Sequence, residues 1–200
     1  LGIINDTHNS DPEMGYNSPG SGLLADGIGY YFEDGDLLSG VQDGGTLSGY
    51  GAQVDAGDVL GVAVDVDAGK IWFAENNSFQ NSGNPATGAN AARGAGGTIT
   101  TAMDFTTATW FPSVGCWSAA DMNGVFNFGQ DGTFAGAISD AGNADANGNG
   151  SFKYAPPSGF LALCTGSLPD PAADPNTENP PSKFFSPYLW TGNGQNRNIT

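Results

Sequence analysis

Apolar and polar residues alternate most regularly along the segment from Val59 to Asp67. One face of this segment carries only large apolar side chains: Leu60, Val62, Val64 and Val66. A period of two with β-branched residues on one face is typical of a half-buried strand. The run Asp67–Lys70 predicts a turn, after which Ile71–Glu75 returns as a second strand. We therefore predict a β-hairpin, with these four residues and Trp72 in one core between two sheets.

Five other short apolar runs predict strands, and clusters of Gly, Asn, Asp, Ser or Pro separate them. They are Leu1–Ile4, Ile28–Phe32, Thr109–Val114, Val125–Phe128 and Phe160–Cys164. No segment combines the apolar period of a helix with capping residues. Glycine supplies 32 of the 200 residues, which fits many tight turns between short strands. The predicted fold class is all-β, an antiparallel sandwich or barrel, with Phe128 among its core residues.

Three segments are too rich in small or polar residues, or in proline, to supply central strands. Asn76–Ala108 and Asp131–Gly150 are long loops, which are usually functional or mobile, and we expect both to face outward. Thr165–Lys183 contains five prolines and indicates a semi-extended linker. Phe184–Thr200 is aromatic again and predicts the start of a second module or a docking tail. The expected domains are therefore 1–164, 165–183 and 184–200.

The charge balance narrows the classes of partner. Five basic residues against 21 acidic residues give a formal net charge of −16. Nucleic acids and anionic membranes are both bound through Lys and Arg, so neither is expected as a partner. No run of about 18 apolar residues exists that could insert into a membrane. The only cysteines, Cys116 and Cys164, permit one disulfide, but both fall at predicted strands and we expect free thiols.

The residues that catalysis requires are scarce. Nucleophilic catalysis needs a base, and the single histidine, His8, lies in a polar loop. Glycoside hydrolysis needs two carboxylates at a fixed separation. The four glutamates are not closely spaced on one strand: Glu13, Glu33, Glu75 and Glu178. We therefore expect that the protein is not an enzyme. A glycanase with a sandwich fold is the enzymatic alternative, and the missing pair of carboxylates counts against it.

Two groups of oxygen-bearing residues bear on metal binding. Asn143–Gly148 resembles the first half of a calcium loop, but Asn143 stands where the loop needs Asp and Tyr154 where it needs Glu. Asp65 and Asp67 share a strand face and form a second candidate pair, which solvation of a hairpin turn explains equally well. No cofactor is expected, with Ca²⁺ as the alternative.

Candidate binding residues lie at strand ends and in the first long loop. Trp117 follows a predicted strand and is interpreted either as a packing residue or as a surface for ligand stacking. The loop contributes Asn76, Asn77, Phe79 and Arg93 as further candidates for the binding surface. Sandwich folds commonly carry binding residues on such loops, because the scaffold holds them while tolerating sequence change.

A family resemblance adds to this interpretation. Gly57–Phe73 resembles the central hairpin of SPRY (B30.2-like) domains, with a Gly-Asp pair, an apolar strand, an acidic turn and an aromatic strand. Phe111–Val114 and Val125–Gly129 resemble later strands of that family. The resemblance covers roughly Leu1 to Leu168. It implies a concanavalin-A-like sandwich of two antiparallel sheets that binds rather than catalyses, with a first strand upstream of Leu1.

A narrower resemblance concerns bacteriophage virion proteins. Gln80–Gly88 and Phe152–Phe160 resemble segments of their SPRY-like modules, and Tyr188–Gly194 resembles a repeat that often follows such modules. This implies a non-catalytic structural and adhesion module of a tail fibre, spike or head decoration, extending beyond both ends of the sequence. It would assemble in the host cytoplasm and lie on the virion surface.

The same resemblance implies a set of partners. These are other virion proteins, copies of this chain in a homo-oligomer, and a host surface glycan or protein. The alternative function is a carbohydrate-binding, lectin-like module of a secreted or cell-surface protein.

Overall fold

The computed structural model describes residues 1–5, 27–39, 46–115, 124–139 and 141–168. Strands in these ranges are β1 (Gly2–Asn5), β2 (Gly27–Tyr31), β3 (Asp36–Leu38), β4 (Thr46–Leu47), β5 (Leu60–Asp65), β6 (Lys70–Glu75), β7 (Ser78–Phe79) and β8 (Trp110–Ser113). The helices described are short 3₁₀ turns at Gln80–Ser82, Pro85–Thr87 and Thr165–Ser167. None of them has the length or the hydropathy that a membrane span requires. The chain divides into two units, Leu1–Cys164 and Thr165–Thr200.

The strands form two antiparallel sheets. One sheet has five strands in the order β4-β3-β2-β1-β8, and the other has three in the order β5-β6-β7. Every pairing in both sheets is antiparallel. The prediction of an all-β fold is confirmed at this level.

The predicted hairpin is β5 and β6. Their register places Val62 opposite Phe73 and Ala63 opposite Trp72. Gly69 closes the turn with a φ of 62°, and a Cβ at this position would lie 2.4 Å from the carbonyl oxygen of Met103. Glycine is required here because a left-handed conformation coincides with a close approach of backbone.

The main hydrophobic cluster takes side chains from both sheets. Its buried members are Ile3, Ile28, Tyr30, Leu37, Tyr50, Ile71, Phe73, Ala92, Ile99 and Met103. The rings of Tyr30 and Phe73, from different sheets, have centroids 5.5 Å apart. Burial raises the pKa of Tyr30 to about 12. Leu60 and Val64 pack half-buried against this cluster, as predicted for their face of β5.

The prediction that β5 and Trp72 share one core is wrong for three residues. Directly opposed residues of an antiparallel pair share a face, so Trp72 lies with Ala63 on the opposite face from Val62. Trp72 and Ala63 belong to a second buried cluster with Ala91. Val62 is 40% exposed on the edge strand β5, and Val66 is 57% exposed in the turn beyond that strand.

Two predicted strands, Val125–Phe128 and Phe160–Cys164, are irregular chain. In Val125–Phe128 and the residues just after it, side chains bond to the local backbone. Phe128 N donates to Gln130 Oε1 at 2.6 Å, and Asn127 Oδ1 accepts from Gly129 N at 2.8 Å. Such local bonds compete with a strand ladder. Phe128 is consequently not a core residue, because it is 39% exposed and stacks on Phe126 with ring centroids 6.1 Å apart.

Candidate binding surface

The segment Asn76–Met103 contains no Asp or Glu, although the whole chain contains 21 acidic residues. We call it the acid-free segment. It follows β6 directly and returns beside it, because Ile71 N donates to Arg93 O at 3.1 Å and Ala92 N donates to Ile71 O at 2.8 Å. Much of the segment is therefore a packed layer against β6. The expectation that the whole of this loop faces outward is wrong, because Ala91, Ala92 and Ile99 are buried.

Trp72 anchors the acid-free segment from below. Its fully buried indole donates Nε1–H to the carbonyl oxygen of Ala89 at 2.8 Å. Lys70 Nζ, also on β6, donates to the neighbouring carbonyl of Gly88 at 2.9 Å. Phe160 packs edge-on against the indole with ring centroids 5.9 Å apart. A buried hydrogen bond inside an apolar cluster fixes the distance and the orientation of the Ala89 backbone relative to β6.

Asparagine side chains organise the upper part of the acid-free segment. Asn84 Oδ1 caps the 3₁₀ turn Pro85–Thr87 by accepting from Thr87 N at 3.2 Å. Asn90 Nδ2 donates to Ser82 O at 3.1 Å, and Asn81 Nδ2 donates to Thr98 Oγ1 at 3.1 Å. Asn81 and Asn90 also adopt positive φ, which asparagine tolerates better than most residues.

The same asparagines form an uncharged polar surface. We define the amide surface as the exposed side chains of Asn81, Asn84, Thr87 and Asn90. Each amide carries both donors and an acceptor, and only one end of each is engaged within the described chain. The carbonyl oxygens of Asn81 and Asn90 and the amide nitrogen of Asn84 are thus available to an uncharged polar ligand.

The predicted residues Asn76, Asn77 and Phe79 lie close to this surface in the chain but differ in role. Asn76 is exposed, and its side-chain amide binds Asp58 Oδ1 at 2.6 Å and Val59 N at 3.1 Å. This hydrogen bond from Asn76 lowers the pKa of Asp58 below its ordinary value. Asn77 is exposed, whereas Phe79 is half-buried against the Trp72 cluster.

Arg93 is not a surface residue, which corrects the sequence prediction. It is 2% exposed. Its Nε donates to Thr101 O at 3.0 Å, its Nη1 donates to Gly27 O at 3.1 Å, and its guanidinium lies 5.7 Å from the ring centroid of Trp110. Arg93 therefore ties the acid-free segment to the five-stranded sheet.

The calcium-like loop is organised by a buried carboxylate. Asp145 Oδ1 accepts from Asn147 N at 2.9 Å and from Asn149 N at 2.8 Å, while Oδ2 accepts from Ala162 N at 2.8 Å. These bonds fold the loop around Asp145 and hold it to the chain at Ala162. The described residues contain no group of three or more His, Cys, Asp or Glu side chains placed to hold a metal ion.

Some predicted residues fall outside the described ranges or away from the amide surface. Trp117, Cys116 and His8 lie outside the described residues, and Cys164 is exposed. Glu33 is exposed in the turn after β2 and accepts a hydrogen bond from Tyr31 Oη at 2.7 Å.

Asn81, Asn84 and Asn90 were not among the binding residues predicted from the sequence. The signal that could have found them is the lack of acidic residues between Asn76 and Met103. Compared with protein-family models, curated proteins and solved structures, the chain matches none of them.

Proposed function

We propose that this chain is a non-catalytic binding and structural module of a bacteriophage virion, and that the amide surface is its contact site. The SPRY-like resemblance of the Gly57–Phe73 hairpin and the phage-like resemblance of Gln80–Gly88 support this function. In this proposal the two antiparallel sheets are the layers of a concanavalin-A-like sandwich. The module would belong to a tail fibre, spike or head decoration.

The observation that carries the proposal is a rigid uncharged surface on a strongly acidic protein. A formal net charge of −16 repels other acidic chains and keeps a protein soluble. The acid-free segment interrupts that charge, and Trp72 and Arg93 hold it in place from beneath. Neutral hydroxyl-rich ligands and neighbouring subunits can approach such a surface without desolvating a carboxylate.

The amide groups favour a ligand that can both donate and accept hydrogen bonds. Carbonyl acceptors at Asn81 and Asn90 and an amide donor at Asn84 match the hydroxyls of an uncharged glycan. A host surface glycan is therefore our preferred ligand for the amide surface. The same groups also fit a lectin-like module of a secreted or cell-surface protein, which is the second candidate function.

The location is tested on purified phage particles. Antibodies against this chain, applied with gold labels to intact virions, should mark a fixed position on the particle. Detection of the protein in infected-cell lysate but never on particles would reject the virion assignment and favour the lectin.

The contact site is tested with matched charge variants. An Asn81→Asp and Asn90→Asp double variant places two carboxylates on the amide surface. We expect it to lose binding to host cells or immobilised neutral glycans by about tenfold or more, since ~1.4 kcal/mol corresponds to tenfold in affinity. Asn147→Asp is the control, because Asn147 is also exposed but lies in the Asp145 loop. Equal binding by the double variant and the control would reject the amide surface as the site.

A further inference from the structure

The two sheets present four edges in the described chain, and three of them are poorly suited to pairing with another strand. β4 and β7 are only two residues long. β8 has four residues but includes Pro112. β5 has six residues, and it contains neither proline nor a basic residue. Short strands, proline and lysine are the usual means by which proteins protect sheet edges, so β5 is the unprotected one.

The position of Pro112 blocks the β8 edge. Leu1 and Tyr30 exchange two backbone hydrogen bonds at 2.7 and 3.1 Å, so odd residues of β1 bond to β2. The backbone groups of Ile4 consequently bond to those of Phe111 in β8. The backbone groups of the next residue, Pro112, therefore point away from β1, toward the open side of the sheet. Proline has no N–H to offer at that outward position.

The same alternation leaves β5 open. Asn76 N donates to Val59 O at 2.9 Å, which extends the β5–β6 register by one bonded pair. The bonded residues of β5 are therefore odd-numbered, and the N–H and C=O groups of Leu60, Val62 and Val64 point away from β6. No backbone hydrogen bond on that side joins these three residues to the rest of the described chain.

Side chains at this edge define the chemistry of a partner. Val62 is 40% exposed in the middle of the strand. Asp58 precedes β5, and Asp65 and Asp67 lie at its other end. Two antiparallel copies of β5 centred on Val62 would place Asp58 of one copy opposite Val66 of the other, between Asp65 and Asp67. Like charges would then gather and repel at both ends of the pair. The edge instead complements an apolar strand with basic residues at its ends.

We propose that β5 binds an extended segment of a partner protein, which adds a fourth strand to the three-stranded sheet. The segment carries apolar side chains at alternate positions and lysine or arginine at both ends. Backbone hydrogen bonds to Leu60, Val62 and Val64 supply affinity, and the flanking aspartates select the charge. This site is separate from the amide surface and does not depend on the proposed virion function.

The probe is a synthetic peptide of alternating valine and threonine with a pair of lysines at each end, titrated calorimetrically against the full chain. Val62→Pro removes the outward N–H without breaking a β6 bond and should weaken binding by about tenfold or more, equivalent to about 1.4 kcal/mol. Val62→Thr keeps the N–H and should bind like the parent. Equal affinity of Val62→Pro and Val62→Thr, or no binding to the parent, would overturn the proposal.

A charge pair keeps the test decisive if Val62→Pro fails to fold. Asp67→Lys should weaken binding of the lysine peptide severalfold. Asp34→Lys makes the same charge change in the β2–β3 turn and should not. A peptide with glutamates in place of lysines should bind much more weakly than the lysine peptide. Equal affinity for the two peptides, or equal effects of the two variants, would remove the charge argument and with it the proposed partner.

Amide hydrogen exchange gives an independent readout. In the free chain, the amides of Leu60, Val62 and Val64 should exchange rapidly while those of Gly61 and Ala63 are protected, and the peptide should protect the first set. Protection of Val62 in the free monomer would show that the edge is already covered and would overturn the proposal. Dimerisation that Val62→Pro abolishes would do the same, because the occupant would be a second copy.

Discussion

The indole N–H of Trp72 and the carbonyl oxygen of Ala89, 17 positions apart in the chain, are joined by a 2.8 Å hydrogen bond. The bond connects a buried strand residue to the backbone that carries the amide surface. Trp72 thus acts in two ways, since its ring fills the second cluster and its nitrogen fixes the loop above. The proposed contact site depends on a residue that does not itself belong to the surface.

Replacing Trp72 by Phe should destabilise the protein and loosen the acid-free segment. The change removes one of the two donors to the Ala89 carbonyl, which keeps Asn84 N at 3.0 Å, and it removes part of a fully buried ring. A cost of about 2–4 kcal/mol in unfolding free energy is therefore expected. Urea unfolding measures the cost. Tyr31→Phe removes an exposed hydrogen bond to Glu33 and should cost less than about 1 kcal/mol. Similar losses for the two variants would contradict the anchoring role of Trp72.

One substitution at two positions on the same hairpin tests the corrected core. Val64→Asp places a carboxylate against the main cluster and should cost several kcal/mol in unfolding free energy, of the order of 3. Val66→Asp, in the exposed turn, should stay within about 0.5 kcal/mol of the parent. Urea midpoints compare the two variants directly. A Val64→Asp protein as stable as the Val66→Asp protein would contradict the assignment of this strand face.

The β5–β6 hairpin was predictable because its alternation of apolar residues is strong and local. β3, β4 and β7 were not, since strands of two or three residues are too short to show a period. The face of Trp72 was deducible once the turn fixed the register, but alternation along one strand does not show that both faces are covered. The acid-free segment was also identifiable from composition, but the predicted loop Asn76–Ala108 was defined by its small and polar residues and not by its lack of acidic ones.

Arg93 shows why the rest of the site escaped sequence reasoning. A lone arginine in a polar loop is normally exposed. Its burial depends on the carbonyl oxygen of Gly27, 66 positions away, and on the ring of Trp110. Such contacts arise only from the tertiary fold, so local pattern contains no trace of them.

Arg93 should accordingly be required for stability rather than for ligand contact. Arg93→Met removes the guanidinium donor of the Thr101 carbonyl and leaves the Gly27 carbonyl with the Ser39 hydroxyl, so a loss of about 2–4 kcal/mol in unfolding free energy is expected. Arg93→Lys should recover only part of it, because one ammonium cannot reproduce the planar guanidinium. Lys153→Met, which removes an exposed contact to Ser139, should cost less than about 1 kcal/mol. Under conditions in which the Arg93→Lys variant is folded, its binding to immobilised neutral glycans should match that of the parent.

Acid should weaken the fold through carboxylates that cap its loops. Asp104 accepts hydrogen bonds from the hydroxyl of Thr106 at 2.6 Å, from the hydroxyl of Thr107, and from both backbone amides. These bonds, with the Thr106 hydroxyl first, hold the pKa of Asp104 well below its ordinary value of 3.8. The hydroxyl and amide of Thr133 lower the pKa of Asp131 in the same way.

A folded-state pKa below the unfolded value stabilises the protein above the unfolded pKa, and the contribution is lost as pH falls through the folded pKa. The urea midpoint should therefore drop between about pH 5 and about pH 2. Asp104→Asn removes one of these titrations, so its midpoint should start lower and fall less steeply than that of the parent. Asp67→Asn is the control, because the Asp67 carboxylate accepts no hydrogen bond from the described chain, and it should follow the parent's slope. If the Asp104→Asn midpoint falls in parallel with both, the capping bonds at Asp104 do not govern the acid response, and the loop is held by its backbone alone.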